Sequence, residues 1–398
     1  MTAVPPHDDL IRHPWERLAS QYIDGLRDGD GPALDDVTAK ATGDAGELRE
    51  LLEVASALEG LKTKREWATI RRSMPDSFRF QKLGDCRIIR ELGRGGMGVV
   101  FEAEQESMHR RVAVKVLPWR FPKASRLRER FRHEACLAAK LRHTHVVPVY
   151  QFGEEDGWCY YVMHLVPGLG LDRVIARLRE PGETYSSDEI RSRFASTTDA
   201  PSWTIRREAW IQFARLGAQV ADGLRYAHAA GVLHRDIKPS NLLLDLQKSV
   251  WIADFGLAQV HEPETAPGDA DIVGTMRYVA PEQLAGRPDA RSDLYSLGMT
   301  LYELCTLRPA LDPRTRTDLV QQVKESTPPA PHFVWERCPE ELSAIIMRAI
   351  AKTPADRYQS AGDLLSALLQ FAQRHRERSS GSAKRGRWWR WLPGFRRG

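Results

Sequence analysis

The stretch of sequence that decides the fold reads His234-Arg235-Asp236-Ile237-Lys238-Pro239-Ser240-Asn241, and it is followed by Ala253-Asp254-Phe255-Gly256 and Ala280-Pro281-Glu282. The first segment places a carboxylate at Asp236, where it can accept the proton of a hydroxyl group, and an amide at Asn241, where it can bind magnesium. Asp254 adds an anionic oxygen, and magnesium needs only one or two protein carboxylates when nucleotide phosphates fill its other positions. The three segments in this order predict a site that transfers a phosphoryl group.

A glycine-rich run lies upstream and reads Leu92-Gly93-Arg94-Gly95-Gly96-Met97-Gly98. Glycine lets the backbone approach phosphate oxygens closely and offer amide donors to them. A predicted strand, not a helix, follows the run, which favours a hairpin that covers phosphates over a dinucleotide-binding turn. Alone, the run is also compatible with an ordinary glycine-rich hairpin.

Lys115 lies on an otherwise apolar strand, in Val112-Ala113-Val114-Lys115. Its ammonium must therefore find a partner or face a cleft. Glu134, on the next predicted helix, is the candidate partner. Either residue alone would usually be a solvated surface charge. Their order after the glycine run favours a buried pair.

Hydrophobic periodicity divides the chain into two lobes. Five short β-branched runs predict an antiparallel sheet over residues 87–92, 99–104, 112–117, 146–153 and 159–165. One helix, over residues 123–141, interrupts them. Apolar residues at helical spacing then predict helices over residues 209–229, 292–305, 317–325, 340–351 and 360–375.

The domain limits follow from these patterns. Residues 1–80 are predicted to be a helical N-terminal extension, with apolar stripes such as Trp15, Leu18, Tyr22 and Leu26. Residues 86–372 form the main domain, with a small lobe at about 86–165 and a helical lobe at about 169–372. The polar stretch 179–202 is interpreted as a mobile surface insertion. The fold class is α+β.

Composition excludes several classes of protein. The 398 residues are 42% hydrophobic and 28% charged, which is an ordinary globular balance and excludes collagen, coiled coil and wholesale disorder. No run approaches the roughly 20 apolar residues of a spanning helix, and the N-terminus lacks the pattern of a signal peptide. The five scattered cysteines have no metal-site spacing and are typical of a reducing compartment. We therefore expect a cytoplasmic location.

The tail, residues 374–398, carries the basic character of the chain. It has nine basic residues and one acidic residue, a net charge of +8, which leaves about −3 of the total +5 for the remainder. Its alternation of cations with tryptophans suits an anionic membrane interface, which would place the protein peripherally at the inner membrane face. A disordered basic extension and a nucleic-acid contact are the alternatives, and no specific nucleic acid is expected.

Over about residues 86–372 the sequence resembles the eukaryotic-like Ser/Thr protein kinases, and in wording their bacterial branch. The resemblance rests on GRGGMGVVFEAE, VAVKVL, HRDIKPSNLLL, ADFGLA and GTMRYVAPEQ. It implies a bilobal kinase fold with a five-stranded small lobe. It also implies transfer of the γ-phosphate of ATP, with Mg²⁺, to Ser or Thr hydroxyls of protein substrates in bacterial signalling.

The resemblance also assigns residues to roles. Asp236 would be the catalytic base, Lys238 a γ-phosphate contact, and Asn241 and Asp254 the magnesium ligands. Lys115 would contact the α and β phosphates and pair with Glu134. The residues around the nucleotide would be Leu92, Gly93, Arg94, Gly95, Gly96, Met97, Gly98, Val100, Ala113, Lys115, Met163, Leu165 and Leu243.

Further positions match structural and regulatory parts of the family. Glu282 would pair with Arg357, and Asp293 would brace the catalytic loop. Thr275 falls in the part that resembles the substrate-docking loop, and with Lys238 it resembles the Ser/Thr-specific pattern. Thr265 is the candidate for autophosphorylation, although nearby acidic residues could supply the same charge.

Two other classes compete with this interpretation. A pseudokinase would use the same fold as a catalytically weak nucleotide-binding scaffold, and the presence of Lys115, Asp236, Asn241 and Asp254 disfavours it. Small-molecule phosphotransferases of related shape usually lack the combined motifs. The sequence leaves the substrate, the activating signal and the oligomeric state open.

Overall fold

The structure is a computed structural model. It describes residues 81–388, with gaps at 96–97, 119–124, 156, 181–183, 195–201, 256–275 and 312–315. The predicted helices within residues 1–80 and the end of the tail, 389–398, lie outside the described residues.

A six-stranded antiparallel sheet forms the small lobe, in the order β1-β2-β3-β4-β6-β5. The strands are β1 (Lys82–Leu83), β2 (Cys86–Gly95), β3 (Gly98–Gln105), β4 (Arg110–Pro118), β5 (Val149–Glu155) and β6 (Trp158–His164). The β-branched residues of the predicted runs give β3, β4 and β6 their buried apolar side chains. All five predicted strands are present, and β1 adds a two-residue edge.

The predicted helix of the small lobe is α1 (Ser125–Ala139). Phe131, at 2% exposure, packs against the sheet, with its ring centroid 5.0 Å from that of Tyr161 and 6.2 Å from that of Phe152. These aromatic contacts fix α1 beside β5 and β6.

Two small sheets lie in the helical lobe. A three-stranded sheet has the order β11-β10-β7 and consists of β7 (Gly168–Gly170), β10 (Leu242–Asp245) and β11 (Val250–Ile252). A two-stranded sheet pairs β8 (Thr184–Ser186) with β9 (Thr204–Arg206). Ile252 on β11 donates its N–H to the carbonyl of His145 at 2.8 Å, and this bond ties the segment after α1 to the helical lobe.

Helices make up the remainder of this lobe. They are α2 (Leu171–Arg179), α3 (Ser187–Phe194), α4 (Trp210–Ala229), α5 (Pro281–Leu284), α6 (Ala290–Thr306), α7 (Arg316–Glu325), α8 (Pro331–Val334), α9 (Glu340–Ala349) and α10 (Ala361–Trp388). The core lies between α4, α6 and α10, where Phe213, Leu301 and Phe371 are fully or almost fully buried. Gly217 on α4 permits this packing, because a Cβ there would lie 2.9 Å from the side chain of Leu301.

The stretch of residues 179–202, interpreted from the sequence as a mobile surface insertion, contains regular secondary structure in its described part. Helix α3 and strand β8 lie within it, and β9 follows directly. Tyr185 and Ile190 within the stretch have no exposed surface, and Trp203 and Ile205, which follow it directly, are at most 8% exposed. The polar composition concealed these few apolar anchors, which are spaced too irregularly to give a periodic signal.

The last helix also extends beyond its predicted end. The sequence predicts a helix to residue 375 and a basic tail from residue 374, whereas α10 continues to Trp388. The described part of the basic tail, up to Trp388, therefore continues the helix that packs into the core.

Candidate active site

Asp236 lies in the loop between α4 and β10, and its side chain is held from one side. Its Oδ2 contacts the Lys238 ammonium at 2.8 Å and accepts a hydrogen bond from the Asn241 amide at 2.9 Å. The same amide donates to the Asp236 carbonyl at 2.8 Å, which closes a tight loop. Within the described part of the chain, Oδ1 has no partner. The carboxylate is thus oriented with one oxygen still available.

Asp293, at the start of α6, holds the backbone of this loop. Its Oδ2 accepts from the His234 N–H at 2.9 Å and its Oδ1 from the Arg235 N–H at 2.7 Å. His228 contacts the same carboxylate at 2.8 Å. Burial alone would raise the pKa of Asp293, but the hydrogen bond and charge of His228 hold the pKa below its ordinary value. Arg235 has a φ of 65°, and these bonds maintain that strained conformation.

The His234 ring links the loop to the segment that carries Asp254. Its Nδ1 accepts from the Asp236 N–H at 3.1 Å, so Nε2 carries the proton and donates to the Ala253 carbonyl at 2.9 Å. The ring is fully buried and meets the Phe255 ring edge-on at 4.6 Å. Burial lowers the pKa of His234, which keeps the imidazole neutral in this bridging role.

Asp254 pairs with Lys115 across the cleft. Lys115 Nζ lies 2.8 Å from Asp254 Oδ1, and the Tyr161 hydroxyl donates to the same oxygen at 3.4 Å. Burial would raise the pKa of Asp254, but the charge and hydrogen bond of Lys115 outweigh it and the pKa is lowered. Asp254 keeps a quarter of its side chain exposed, while Lys115 keeps 5%. Asp254 also has a φ of 61°, a strained value that is common at functional sites.

Strand register places apolar side chains beside this pair. Ala113 lies opposite Met163 and is two residues from Lys115, so both share the face of β4 that carries the ammonium. Val100 on β3 lies opposite Lys115. Ala113 and Met163 are buried, at 4% and 8% exposure, and Val100 is half-buried.

The glycine run forms the end of the β2–β3 hairpin, where Gly95 pairs with Gly98. Gly98 has a φ of 141°, and a Cβ there would lie 2.4 Å from the Val116 carbonyl oxygen, so only glycine fits. At Gly93 a Cβ would meet nothing within 4 Å, which leaves open space beside the backbone. One glycine therefore permits close backbone packing and another leaves room for a ligand.

The arrangement brings a lysine, two acids and an amide together below a glycine hairpin, and the protein kinase domain family matches residues 86–377. The chain belongs to the protein kinase family. The two lobes of the fold correspond to the small and large lobes of the kinase domain, as the sequence predicts.

The curated relatives that the chain matches are named serine/threonine-protein kinases. The chain is 35% identical over 285 residues to the serine/threonine-protein kinase PknH of Mycobacterium bovis, an alignment that covers 71% of this chain and 43% of PknH. It is 33% identical over 287 residues to PknE of the same organism, with 72% of this chain and 46% of PknE covered. The chain thus spans less than half the length of the curated relatives it matches.

A solved kinase structure shares the fold. The crystal structure of the PknI kinase domain of Mycobacterium tuberculosis matches with a TM-score of 0.53 and 26% sequence identity, covering 74% of this chain and 99% of that chain. The bilobal fold predicted from the sequence is therefore confirmed.

The structure brings together part of the predicted site. Lys115 pairs with Asp254, and Asp236 contacts Lys238 and Asn241. The charge of Lys238 also acts on Asp254, whose pKa it lowers. Leu165 and Leu243 are half-buried, and Leu243 lies opposite Gly170 in the small sheet. Other predicted positions lie outside the described residues: Gly96, Met97, Thr265, Thr275 and the side chain of Glu134.

The predicted pair of Glu282 and Arg357 is confirmed. Two parallel bonds of 2.6 and 2.8 Å join the guanidinium to the carboxylate. Arg357 has no exposed surface, and it also donates to the carbonyls of Ala351, Arg291 and Lys352. Its guanidinium lies 4.8 Å from the Tyr295 ring centroid. The pair holds the segment before α6 against the base of the large lobe.

Sequence reasoning missed several residues that support the site. Tyr161 contacts Asp254, His228 contacts Asp293, and Gln283 donates to the Arg235 carbonyl at 2.7 Å. The alternation of β6 could have identified Tyr161, because it lies opposite Lys115. His228 and Gln283 gave no signal, since each acts through one hydrogen bond between residues far apart in the sequence.

A cross-lobe contact made by α3 was also missed. Arg193 Nη2 donates to the Leu92 carbonyl on β2 at 2.5 Å. A second contact is made by Arg90 on β2, whose guanidinium lies 5.4 Å from the Phe194 ring centroid. Burial, together with the nearby charges of Arg173 and Arg90, lowers the pKa of Arg193. Helix α3 thus contacts the strand that leads into the glycine hairpin.

Proposed function

We propose that this chain is a Ser/Thr protein kinase that transfers the γ-phosphate of ATP to hydroxyl groups of protein substrates. The observation that carries the proposal is the state of Asp236. Its Oδ2 is engaged by Lys238 and Asn241, and its Oδ1 has no partner among the described residues. That oxygen is suited to receive the proton of an incoming hydroxyl.

Charge neutralisation would come from side chains that are already in position. Phosphoryl transfer passes through a loose transition state and depends on positioning and electrostatics more than on covalent chemistry. Lys115 would contact the α and β phosphates, and Lys238, 2.8 Å from the base, would meet the γ-phosphate as charge develops. Preorganised cations of this kind need no rearrangement during the reaction.

Asn241 and Asp254 are the residues that would hold Mg²⁺. The Asn241 amide nitrogen is used by Asp236, which leaves its oxygen as the atom for a cation. Asp254 offers a carboxylate whose lowered pKa keeps it ionised, and hard oxygen donors are what magnesium prefers. When bound, Mg²⁺ would neutralise charge on the phosphates of the nucleotide.

The nucleotide itself would lie between the glycine hairpin and the apolar residues of the cleft. Leu92, Gly93, Arg94, Gly95, Gly96, Met97 and Gly98 would cover the phosphates. Val100, Ala113 and Leu243 would enclose the adenine, with Met163 and Leu165 at its edge. The open space beside Gly93 supports this placement.

A direct test is incubation of the full chain with labelled ATP, Mg²⁺ and a generic protein acceptor, followed by phosphoamino-acid analysis. We expect label on Ser or Thr with the natural chain and none above background with Asp236→Asn. Asp356→Asn, at an exposed position, is the matched control and should retain transfer. Equal incorporation by the natural chain and Asp236→Asn would refute the role of Asp236.

Thr265 is proposed as a site of autophosphorylation, because Arg235 beside the base matches kinases whose activation segment is ordered by a phosphate. Mass spectrometry after incubation with ATP should find phosphate at Thr265. An active enzyme that stays unmodified there would remove this part of the proposal.

Contact between the basic tail and anionic lipid is proposed as well. Within the part of the chain that the structure describes, no helix is long and apolar enough to cross a membrane. Flotation with vesicles that contain phosphatidylserine should carry the full chain upward and leave a chain truncated after Arg378 behind. Equal flotation of the two chains would dismiss the contact.

A further inference from the structure

A cavity of about 500 Å³ lies at the C-terminal end of α6, away from the cleft residues. Among the described residues that line it, four are arginines, Arg179, Arg207, Arg277 and Arg308, and one is an acid, Glu303. The formal charge of its lining is therefore +3. A concave site with this excess of guanidinium groups is suited to phosphate or carboxylate, which arginine binds with paired hydrogen bonds.

Glu303, the acid among the described lining residues, is already engaged. Arg179 donates to Glu303 Oε1 at 2.7 Å, and the Tyr278 hydroxyl donates to Oε2. Glu303 is 7% exposed, so little of it faces the cavity. Both of its oxygens are occupied, by Arg179 and Tyr278, so it does not neutralise Arg207 or Arg308.

Two of those arginines lack an acidic partner within the described residues. Arg207 places its guanidinium 3.9 Å from the Trp335 ring centroid, and its buried Nε makes no hydrogen bond in that part of the chain. The guanidinium of Arg308 has no ion pair or hydrogen bond there and is exposed. A buried donor without an acceptor is destabilising, and a bound anion would remove that cost.

The cavity lies within reach of the predicted acceptor site. Arg277 follows Thr275, the predicted substrate-loop residue, by two positions. Helix α6 carries Asp293, which holds the catalytic loop, and Glu303 ten residues later. Ten residues of helix span roughly 15 Å, a distance that about five residues of extended peptide would cover.

We propose that the four-arginine cavity binds an anionic side chain, a phosphorylated Ser or Thr or a Glu or Asp, within about five residues of the acceptor hydroxyl of a protein substrate. This proposal rests on the proposed kinase function. It makes the chain selective for acidic or previously phosphorylated segments.

The test uses peptides with one central Thr in a neutral background and with Glu, Gln or phosphoserine at one flanking position, scanned over five residues on each side. We expect the natural full chain to phosphorylate the Glu and phosphoserine peptides about tenfold better than the Gln peptide at one or two positions, equivalent to about 1.4 kcal/mol. In Arg207→Gln/Arg308→Gln this ratio should fall to about one.

Controls separate the charge effect from a loss of folding. Arg308→Gln alone changes an exposed side chain and should lower the ratio part of the way. Arg337→Gln removes an exposed arginine that pairs with Glu208 and does not line the cavity, so it should keep the full ratio. No preference for acidic peptides in the natural chain, or the same preference in the double variant, would overturn the proposal.

Fluorescence anisotropy provides a readout that does not need phosphoryl transfer. A labelled phosphoserine peptide should bind the natural chain and Asp236→Asn equally, and the double variant at least fivefold more weakly. If the peptide binds in this way but no peptide is phosphorylated, the cavity proposal holds and the kinase function fails. If the double variant binds the peptide as well as the natural chain does, the cavity proposal fails regardless of activity.

Discussion

Two pairs of a basic and an acidic side chain lie deep in this molecule, one in the cleft and one at the base of the large lobe. In the cleft, Lys115 meets Asp254, whose carboxylate is a quarter exposed. At the base, Arg357 meets Glu282 through two bonds, and the guanidinium has no exposed surface. Both pairs join segments that are far apart in the sequence.

The two pairs differ in how many of their hydrogen-bonding positions the protein itself fills. Arg357 also donates to three backbone carbonyls, and Ser292 donates to Glu282 at 2.6 Å, so this pair is saturated by the protein. Asp254 retains exposed surface and a strained backbone. A pair whose hydrogen bonds are all made within the protein is typical of a structural role. An exposed carboxylate with a strained backbone is typical of a pair that receives a ligand.

The largest effect is expected at the saturated pair. Arg357→Met should lower the free energy of unfolding by about 3–5 kcal/mol, because Glu282 would be left buried without its cation. Urea denaturation would measure it. Arg374→Met, which removes an exposed partner of Glu341, is the matched control and should cost about 1 kcal/mol or less. Equal losses would mean that burial does not distinguish the two sites.

The ligand-facing pair should respond in activity and not in stability. Lys115→Met should lower kcat by about 10²–10³, since a positioned cation is lost from the transition state. Steady-state kinetics with a protein acceptor would measure it, and circular dichroism should show the fold retained. Lys82→Met, at an exposed pair with Glu106, should leave kcat unchanged. If Lys115→Met is unfolded, the pair of Lys115 and Asp254 would serve stability, as the pair of Arg357 and Glu282 does.

His234, the neutral histidine of the catalytic loop, predicts a pH dependence of stability. Burial lowers the pKa of His234 below its usual value near 6.5, so the unfolded state binds more protons than the folded state as pH falls below about 6.5. The contribution of His234 to the free energy of unfolding should be fully present above that pH. Below it, the contribution should decrease by up to about 1.4 kcal/mol per pH unit.

Urea denaturation between pH 5 and 7.5 would measure this slope. His234→Gln should reduce it by about one proton. The pKa values of His143 and His164 are also lowered by burial, and these groups remain in both proteins. An unchanged slope in the variant would assign the dependence to those other histidines.

The smallest effect is expected where α3 contacts β2, the strand that leads into the glycine hairpin. Arg193→Gln removes a charged donor from the Leu92 carbonyl, a loss of about 1 kcal/mol, and should raise the KM for ATP about fivefold at unchanged kcat. Arg191→Gln is the control, because Arg191 bonds Asp188 and Ser202 within the same segment. A KM that is equal in both variants would show that α3 does not position the hairpin.

Sequence patterns predicted the parts of the molecule that have a period or a motif. The strands follow from β-branched runs, and the cleft residues follow from short motifs in which the chemistry requires particular residue types. Asp236 and Asn241 illustrate this, because their spacing alone predicted that they act together, and they are hydrogen-bonded. The pair of Glu282 and Arg357 came only from the family resemblance.

Other parts could not be predicted because their signal is not local. The bond of Arg193 to Leu92 joins residues 101 positions apart through a backbone carbonyl, which any residue type offers. The regular structure within residues 179–202 gave no periodic signal because its buried apolar residues, Tyr185 and Ile190, are few and lie among polar neighbours. The arginines around Glu303 come from four separate segments, and no single segment is unusually basic.

The division of residues between the two faces of β4 determines what an error in strand pairing would do. Ala113 and Lys115 share one face of this strand, and Val112 and Val114, fully buried, share the other. A slip of one residue in pairing would exchange the two faces, placing the ammonium among aliphatic side chains and a valine on the face that now carries Lys115. The energetic penalty of that error is large, so misaligned chains would fail to fold and would not accumulate as a folded but inactive protein.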